Sequence, residues 1–235
     1  MLQLISRSQA VTERQNQHES GSTLQAALPE QPRTPDVVVP IRSLGENHRS
    51  RICAHLKALN EHDRYYRFGF TATDAQIERY AESLNFERDE IFGIYNRRVE
   101  LIATAHLAYS SEDRTEAACE FGVSVLARSR GRGFGKRLFE RAMMHSRNEG
   151  VHTMFLHVLS ENTIMLNIAR KGGARVVRDG AESEAHLQLP PATVNTQLTE
   201  MVEEQLAQAN YQIKVQAQQF RGWLNRLEAP WRKAG

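Results

Sequence analysis

Cysteine and long apolar runs are scarce in this sequence, and each scarcity excludes a class of protein. Only Cys53 and Cys119 occur in 235 residues, and neither stands in a Cys-x-x-Cys or Cys/His ligand spacing. A disulfide framework is thereby excluded, and a reducing cytoplasm is the expected location. The apolar runs are short compared with the roughly 20 residues that cross a bilayer, and the N-terminus lacks the apolar stretch of a signal peptide. We expect neither export nor a membrane span.

An excess of charge of one sign is also absent. Lysines and arginines number 30 against 28 aspartates and glutamates, which gives a formal net charge of +2. Dedicated nucleic-acid-binding proteins usually carry a larger basic excess, so nucleic acid is not the expected partner. The histidines share no ligand spacing, and we therefore predict no metal site. Any charge that matters to function must be local.

The character of the sequence changes twice along the chain. Residues 1–36 hold scattered Gln, Ser, Thr and Pro without sustained periodicity, which predicts a disordered glutamine-rich arm. Residues 37–190 alternate β-rich runs with amphipathic segments and form the predicted folded domain. Residues 191–235 follow a Pro-Pro pair and are predicted to form a long amphipathic helix.

An apolar stripe marks that C-terminal segment. Its members recur at steps of three and four residues: Leu198, Val202, Leu206, Ala209, Ile213, Ala217, Phe220, Leu224 and Leu227. A stripe this long must face something, so we expect it to pack on its own domain or on a second copy of the chain as a homodimer. A partner helix is the third alternative.

Local patterns within residues 37–190 predict the fold class. VVVPIR, residues 37–42, is predicted to be an edge strand because it contains Pro40. Thr73-x-x-Gln76 predicts a capping box, and Asn96-Arg97-Arg98 predicts a hairpin turn between two strands. Strands come first and a strand-helix-strand order follows, which indicates an α/β domain of the α+β type with a mixed sheet.

Positive charge is concentrated in residues 120–139, EFGVSVLARSRGRGFGKRLF. Cations and glycines occupy most of the central positions: Arg128, Arg130, Gly131, Arg132, Gly133, Gly135, Lys136 and Arg137. Glycines let the backbone approach a ligand closely, and N–H groups at the start of a helix attract phosphate. This segment predicts a pyrophosphate site. The alternative is a basic glycine turn that merely starts a helix.

Two common nucleotide-binding motifs do not fit this segment. A P-loop requires glycine at position 130 and Ser or Thr at 137, where this chain has Arg130 and Arg137. A Rossmann fingerprint requires Gly-x-Gly-x-x-Gly, whereas Gly131, Gly133 and Gly135 are separated by single residues. Both nucleotide-binding folds are disfavoured.

The segment instead resembles the acyl-CoA-binding signature of the GNAT superfamily of N-acetyltransferases. Val125 stands at the end of a strand, and Arg130-x-x-Gly133-x-Gly135 follows it. Residues 156–177 are similar to the second signature of that family, in which an asparagine follows a strand and precedes a helix that closes at glycine.

The matching positions of this second signature are Asn162, Met165 and Gly173. The resemblance extends over about residues 37–189. Residues 59–70, LNEHDRYYRFGF, resemble an early segment of bacterial protein-lysine acetyltransferase domains. The expected fold is then a single GNAT-like domain whose mostly antiparallel sheet splays at the acyl-CoA site.

The resemblance implies that acetyl-CoA is the cosubstrate and lies where two adjacent strands splay. The main chain of Val125, Leu126 and Ala127 would pair with the pantetheine amides, and Asn162 would contact the pantetheine arm. Main-chain N–H groups would hold the pyrophosphate, from Arg130, Gly131, Arg132, Gly133, Phe134, Gly135 and Lys136. The side chains of Arg128 and Arg132 are further candidates for phosphate contact.

Glu120 is the predicted catalytic base. It resembles a glutamate often found on this strand of the family, and by strand alternation it shares a face with Gly122, where the missing side chain would leave room for substrate. A base is useful because a lysine-like amine with a pKa near 10.4 is mostly protonated at pH 7. Glu120 could instead be a structural ion-pair partner, and Glu100 is the reserve candidate.

The acid for the departing thiolate is not identified by the sequence. Many family members place a tyrosine seven residues after the asparagine, where this chain has Ala169. Ser160 is one substitute, although a serine just before a helix is more often a cap. A thiolate with a pKa near 8.5 is a tolerable leaving group, so loss of the acid lowers the rate without abolishing transfer.

These features together predict an acetyl-CoA-dependent N-acetyltransferase that acts on an amine-bearing acceptor, a protein lysine or a small molecule. Direct attack in a ternary complex is the expected route. Ala169 favours a rival reading, a non-catalytic acyl-CoA sensor that signals through the C-terminal helix. A third reading is acetylation of an RNA-linked amine, with residues 128–137 as a wider basic surface.

Overall fold

The computed structural model describes residues 39–110 and 118–228, with side chains described as far as Arg221. The predicted arm, residues 1–36, lies outside these described residues. Over the described residues the chain forms one seven-stranded sheet with helices on its faces, which confirms the α/β fold class. The core is built from the apolar strand residues and the inward faces of the helices.

The strands run along the sheet in the order β1-β2-β3-β4-β5-β7-β6. Their bounds are β1 Arg42–Ser43, β2 Glu90–Tyr95, β3 Leu101–Tyr109, β4 Ala118–Val125, β5 Thr153–Leu159, β6 Arg175–Asp179 and β7 Glu182–Gln188. Among these described strands, β4 and β5 pair in parallel and the other neighbours pair antiparallel. The sheet is therefore mixed and mostly antiparallel, as expected.

The α-helices have bounds α1 Arg49–Lys57, α2 Glu61–Phe68, α3 Asp74–Ser83, α4 Phe134–Asn148, α5 Thr163–Lys171 and α6 Val194–Glu228. Phe121 of β4 packs edge-on against Phe139 of α4, whereas Ser124 faces α1. Alternation along β4 therefore separates an α4 side of the sheet from an α1–α3 side.

Two local predictions are confirmed by hydrogen bonds. Thr73 and Gln76 form the capping box at the start of α3, where each side chain bonds the backbone of the other residue. Asn96 begins the turn between β2 and β3, and its side-chain oxygen accepts from the N–H groups of Arg98 and Glu100. Short-range polar spacing specifies both features.

Two other predictions differ from the structure. Residues 37–38 of the predicted strand lie outside the described residues, and over 39–42 the prediction is wrong in extent, because β1 is only Arg42–Ser43 and begins after Pro40, which has no N–H to give to a ladder. Helix α2 was not predicted, since its sequence EHDRYYRF is polar and lacks an apolar stripe. Capping defines α2: Asn60 accepts from the Asp63 N–H, and Gly69 ends the helix at φ 78°.

Helix α6 packs on the domain through a polar face. Buried Arg141 of α4 contacts Glu200 at 2.8 Å and Glu204 at 3.3 Å, and Ala207 and Tyr211 are buried one and two turns later. Burial acts to raise the pKa of Glu200, but His145, Asn148 and Arg141 together outweigh it through hydrogen bonds and charge and lower that pKa. Charge pairing therefore holds the helix to its domain.

The predicted apolar stripe lies on another part of the helix surface. Leu198, Leu206 and Ile213 are 56%, 54% and 65% exposed. The prediction that this stripe packs on its own domain is therefore wrong, although the helix itself does so. Leu224 and Leu227 lie beyond the residues whose side chains are described.

Candidate functional site

A cavity of about 430 Å³ opens where β4 and β5 diverge. Their parallel pairing ends at Glu120 and Phe155, while β4 continues to Val125 and β5 to Leu159. The cavity is bounded by both strands, the loop after β4 and the first turns of α4 and α5, with α2 on the remaining side. The predicted splay is present in the fold.

One edge of β4 is directed into this opening. The N–H of Leu126 bonds the carbonyl of Ile102 on β3, so alternation turns the main-chain groups of Val123 and Val125 toward the gap. Both main-chain groups of Leu126 are engaged, because its carbonyl also accepts from Ser129. The Val125 carbonyl accepts from Arg130 Nε at 3.3 Å.

The glycine-rich loop closes one end of the cavity. Gly131 and Gly133 have φ of 74° and 75°, and a Cβ at either position would meet nothing within 4 Å. These glycines are required by backbone conformation, and they leave the backbone uncovered. The first helical hydrogen bond of α4 runs from the Arg137 N–H to the Gly133 carbonyl. The N–H groups of the residues just before Arg137 therefore have no hydrogen-bond partner within the helix.

The predicted cofactor-contact residues divide into two groups. Those that line the cavity are Val125 and Asn162, predicted for the pantetheine arm, and Arg130, Gly131, Gly133, Phe134, Gly135 and Lys136, predicted for the pyrophosphate. Arg132 is exposed and its guanidinium stacks on the Phe134 ring at 5.0 Å, while Arg128 pairs with Glu100 at 3.3 Å. The Arg128 side chain thus already has an acidic partner in the β2–β3 turn.

A buried carboxylate reaches the loop from α2. Asp63 has a side-chain exposure of 4%, lines the cavity and forms an ion pair with Arg130. Asp63 is the one acidic side chain among the described residues that line the cavity. Sequence reasoning missed it, because the pair spans 67 residues and no local motif links the two positions.

Asn162 occupies the start of α5 at the opposite wall. Its Oδ1 accepts from the Met165 N–H at 3.2 Å, which makes it the N-cap of that helix, and it lines the cavity. A capping role accounts for the side-chain oxygen, and the amide nitrogen is the remaining polar group.

On the α1–α3 side of β4, the space that Gly122 leaves is filled. A Cβ on Gly122 would lie 2.9 Å from Arg67 Cζ. Arg67 also lines the cavity, and its Nη2 donates to the Tyr80 hydroxyl at 2.7 Å. The expected room for substrate at Gly122 therefore contains a guanidinium.

Next to it, Ser124 is bonded to a buried histidine. His55 Nε2 lies 2.9 Å from Ser124 Oγ, and Nδ1 lies 2.9 Å from the Leu101 carbonyl. Burial lowers the pKa of His55 to about 4, against 6.5 for an exposed histidine. This imidazole is neutral at physiological pH and joins α1 to β3 and β4.

Comparison with known families identifies the fold. The model of the acetyltransferase (GNAT) family matches residues 56–173, which include β4, the glycine-rich loop, α4 and Asn162. The chain belongs to the GNAT family of acetyltransferases. No curated protein matches it.

Solved structures share this GNAT fold at low sequence identity. The GNAT domain of S. lividans PAT is 18% identical, with a TM-score of 0.53 over 65% of this chain and 95% of that one. A spermidine N-acetyltransferase from Vibrio cholerae, in complex with CoA and spermine, is 18% identical, with a TM-score of 0.52 over 65% and 96%. An acetyltransferase of the GNAT family from Streptococcus pneumoniae is 13% identical, with a TM-score of 0.51 over 64% and 98%.

Neither candidate base lines the cavity of this GNAT domain. Glu120 is exposed and stands at the last paired position of β4, opposite Phe155, at the closed end of the splay. Glu100 lies in the turn before β3, where its carboxylate bonds Asn96 Nδ2 at 2.7 Å and Arg128. The position of Glu120 is compatible with a base that serves the cavity from its edge, whereas Glu100 is occupied by turn and ion-pair contacts.

The two positions considered for the acid that protonates the departing thiolate, Ala169 and Ser160, have structural roles. Ala169 is fully buried in the GNAT core. Ser160 is buried, donates to the Glu182 carbonyl at 2.9 Å and lies 2.8 Å from Ser183 Oγ. These contacts hold β5 to β7, so Ser160 has a structural role at this position.

The described residues contain neither a metal-binding cluster nor a helix that could span a membrane. No group of three or more His, Cys, Asp or Glu side chains in them is arranged to hold a metal ion. In that part of the chain, no helix has both the length and the apolar character that crossing a bilayer requires.

Proposed function

We propose that this GNAT protein transfers the acetyl group of acetyl-CoA to a primary amine by direct attack in a ternary complex. The observation that carries the proposal is the divergence of β4 from β5 beside the glycine-rich loop. One cavity thereby combines an open strand edge, a cationic loop and a helix N-terminus. This combination suits a long ligand that has amides at one end and phosphates at the other.

The proposed cofactor contacts follow the geometry. The Val125 main chain, with Val123 two residues earlier on the same edge, would bond the pantetheine amides. Leu126 is engaged with β3 and the following turn, and Ala127 begins that turn with its carbonyl bonded to Arg130 N–H, so the predicted pantetheine pairing of these two residues is not part of the proposal. The Asn162 amide nitrogen, which the capping bond does not use, would donate to the same ligand from the start of α5.

The pyrophosphate would lie on the loop and the first turn of α4. Positive φ at Gly131 and Gly133, with no atoms within 4 Å of a Cβ, supports close backbone approach there. Phosphate charge is favoured by the α4 N-terminus and by Arg130 and Lys136. These residues fit the group that the family binds.

Acetyl-CoA supplies the activated thioester for the proposed reaction. The protonated amine first loses one proton, which Glu120 accepts directly or through water. The free amine nitrogen then bonds to the acetyl carbon and the carbon–sulfur bond breaks. The nitrogen gives up its second proton as the amide forms, and the thiolate takes up one proton to give CoA. Removing the first proton at pH 7 costs on the order of 4.6 kcal/mol for a lysine-like amine, so a base is worth having.

A protein lysine is the proposed acceptor. The described cavity lining has three cationic side chains, Arg67, Arg130 and Lys136, against the single carboxylate of Asp63. An acceptor that carries several positive charges, such as a polyamine, would be repelled by this wall. A single lysine presents one amine, and its charge is lost before attack.

Two measurements test the proposed function. Thermal shift with acetyl-CoA, CoA and NAD should show stabilisation by the two CoA species and none by NAD. Thiol release should then follow when lysine peptides are added, with spermidine a poorer acceptor. Absence of stabilisation by any CoA species would remove the cofactor assignment. Stabilisation without thiol release across an amine panel would favour the sensor reading, and strongly salt-dependent binding to RNA would favour an RNA-linked amine.

We also propose a cytoplasmic location and a homodimer formed through α6. Cys53 and Cys119 are unpaired thiols, which suits a reducing compartment. The exposed apolar side chains of α6, among them Leu198, Leu206 and Ile213, give two copies of the chain a surface to share.

A further inference from the structure

We infer that Arg67 binds the carbonyl oxygen of the thioester and that Tyr80, His106 and Asp89 are positioning residues that hold it there. The inference rests on the proposed function, because it concerns the acyl end of the same cavity. It assigns a role to a side-chain network that the sequence did not reveal.

The Arg67 guanidinium lies near the closed end of the splay between β4 and β5. Arg67 covers Gly122, the second residue of β4 after its last pairing with β5. If Val125 and Val123 bind the pantetheine arm and the loop binds the pyrophosphate, the acyl end must lie farther toward the closed end of the splay. Gly122 is at that end, so Arg67 is the cation nearest to the expected acyl group.

A series of side-chain hydrogen bonds holds Arg67 in place. Its Nη2 donates to the Tyr80 hydroxyl at 2.7 Å, and that hydroxyl lies 2.8 Å from His106 Nδ1. His106 Nε2 lies 3.0 Å from Asp89 Oδ2, and Arg88 donates to the other oxygen of Asp89 at 2.7 Å. Side chains from α2, α3, β3 and the segment before β2 thus form one continuous hydrogen-bonded network, which consists of Arg67, Tyr80, His106 and Asp89.

The Asp89 carboxylate at one end of this network is a hydrogen-bond acceptor. Burial acts to raise the pKa of Asp89, but the hydrogen bonds from His106, Arg88 and the Tyr109 N–H, together with the charge interaction with His106, outweigh it and lower that pKa to about 2. An ionised Asp89 accepts from His106 Nε2–H, and the Tyr80 hydroxyl lies at Nδ1 of the same ring. The Tyr80 oxygen accepts from Arg67 Nη2.

The Arg67 guanidinium has N–H donors that its hydrogen bond to Tyr80 does not use. A guanidinium has five N–H donors and keeps its charge at all physiological pH values, and the bond to Tyr80 uses one donor. The ring faces of Phe68 and Tyr80 lie 5.2 and 5.4 Å from Arg67 Cζ and restrict its rotation. A fixed cationic donor beside a carbonyl oxygen stabilises the negative charge that develops there during attack.

The network does not provide a separate substrate site. The space behind Arg67, lined by Tyr80, His106 and Gly122 among others, has a volume of about 10 Å³. That is the volume of one water at most. The hydrogen-bonded network therefore acts on the main cavity only through Arg67.

Ligand binding tests the inference without turnover. Calorimetry would compare acetyl-CoA with S-ethyl-CoA, a thioether of similar size that lacks the carbonyl. Wild type should prefer acetyl-CoA by about tenfold to 100-fold, as expected for one hydrogen bond to a charged donor. In Arg67→Gln the ratio should fall to about one, while the affinity for CoA itself stays within about twofold. An unchanged ratio in Arg67→Gln would overturn the inference.

Kinetics separate positioning from a merely structural role. Arg67→Gln should lower kcat about 100-fold and raise KM for acetyl-CoA by about as much as the carbonyl preference falls in calorimetry, and Arg67→Lys should restore part of both losses. Tyr80→Phe should lower kcat about tenfold and add nothing further in the Arg67→Gln background. Full additivity of the two losses would contradict the proposed link between Tyr80 and Arg67.

A second variant covers the case in which Arg67→Gln fails to fold. Gly122→Ala would place a methyl group against the guanidinium and displace it without removing any hydrogen-bonding group. It should reduce the acetyl-CoA preference in the same direction, and retention of the full preference would count against Arg67. If no CoA species binds wild type, the proposed function fails as well; if CoA binds without a carbonyl preference, only this inference fails.

Discussion

Asp63 of α2 and Arg130 of the glycine-rich loop form an ion pair at the wall of the cavity. The carboxylate is buried and the guanidinium is about half exposed, with Nε also bonded to the Val125 carbonyl. A carboxylate therefore occupies, on Arg130, the kind of contact that a phosphate would make. The pair also connects the helix that carries Arg67 to the loop proposed to bind pyrophosphate.

Replacement of Asp63 by Asn should tighten acetyl-CoA binding by about threefold to tenfold. The reason is that the substitution releases Arg130 and removes a negative charge close to the phosphates. Calorimetric Kd values at low and high salt would check this, and the gain should shrink as salt screens the charge. Weaker binding by Asp63→Asn would instead mean that Asp63 orients Arg130 for the ligand.

Replacement of Gly133 by Ala should weaken acetyl-CoA binding about tenfold or more. Its φ of 75° is strained for alanine by about 1 kcal/mol, and the methyl group would stand on the surface that the phosphates approach. Gly150→Ala is the matched control, because Gly150 has φ 80°, equally open surroundings and no place in the cavity. Both variants should lose similar stability, and equal losses of affinity would contradict a specific role for Gly133.

Replacement of Glu120 by Gln should lower the acetylation rate about 10- to 100-fold at pH 7, with acetyl-CoA affinity unchanged. The deficit should narrow as the pH rises toward 9, because solvent then supplies more of the free amine. Glu100→Gln is the control, since Glu100 is an exposed carboxylate in a turn. A Glu120→Gln rate equal to wild type from pH 6 to 9 would remove Glu120 as the base.

Stability should fall as the pH drops from 6.5 toward 4 because of His55. Its pKa is about 4 in the fold and 6.5 when exposed, so the unfolded chain binds a proton in this window that the folded chain does not. The stabilising effect is complete above pH 6.5 and its loss amounts to about 3 kcal/mol by pH 4. Urea unfolding across this range should show a smaller pH dependence in His55→Gln than in wild type. His152→Gln, at an exposed position, should keep the wild-type dependence.

Helix α6 offers two faces with opposite expected outcomes. Leu206→Glu with Ile213→Glu should convert a dimer to a monomer in sedimentation equilibrium with little change in Tm, because both side chains are more than half exposed. Glu200→Ala should cost about 3 kcal/mol or more, since Arg141 is buried and would lose a partner. A wild-type chain that sediments as a monomer would refute the proposed dimer.

The chemical character of the site was readable in short segments of sequence. Gly131, Gly133 and the cations around them stand within a few residues of one another, so spacing alone indicated a phosphate loop at a helix start. The Thr73 capping box and the turn at Asn96 were predictable for the same reason, because their hydrogen bonds join residues three or four apart.

Helix α2 and the β1 boundary were missed because their signals are weak at short range. The α2 sequence has no apolar stripe, and only its caps at Asn60 and Gly69 mark its ends. The α6 stripe was recognised correctly as a pattern, but the pattern could not show which face meets the domain. Buried Arg141 and its two glutamate partners decided that, and they lie about 60 residues apart.

The sequence by itself determined the fold class and the glycine-rich loop, because these depend on periodicity, turn chemistry and residue type within one segment, whereas Glu120 as the base stays a prediction. Tertiary structure alone decided that Arg67 covers Gly122, that Tyr80, His106 and Asp89 hold it, and that Asp63 pairs with Arg130. The physical reason is that a polar group has many chemically acceptable partners along a chain. Only the packing of helices onto the splayed sheet brings one of them within hydrogen-bonding distance.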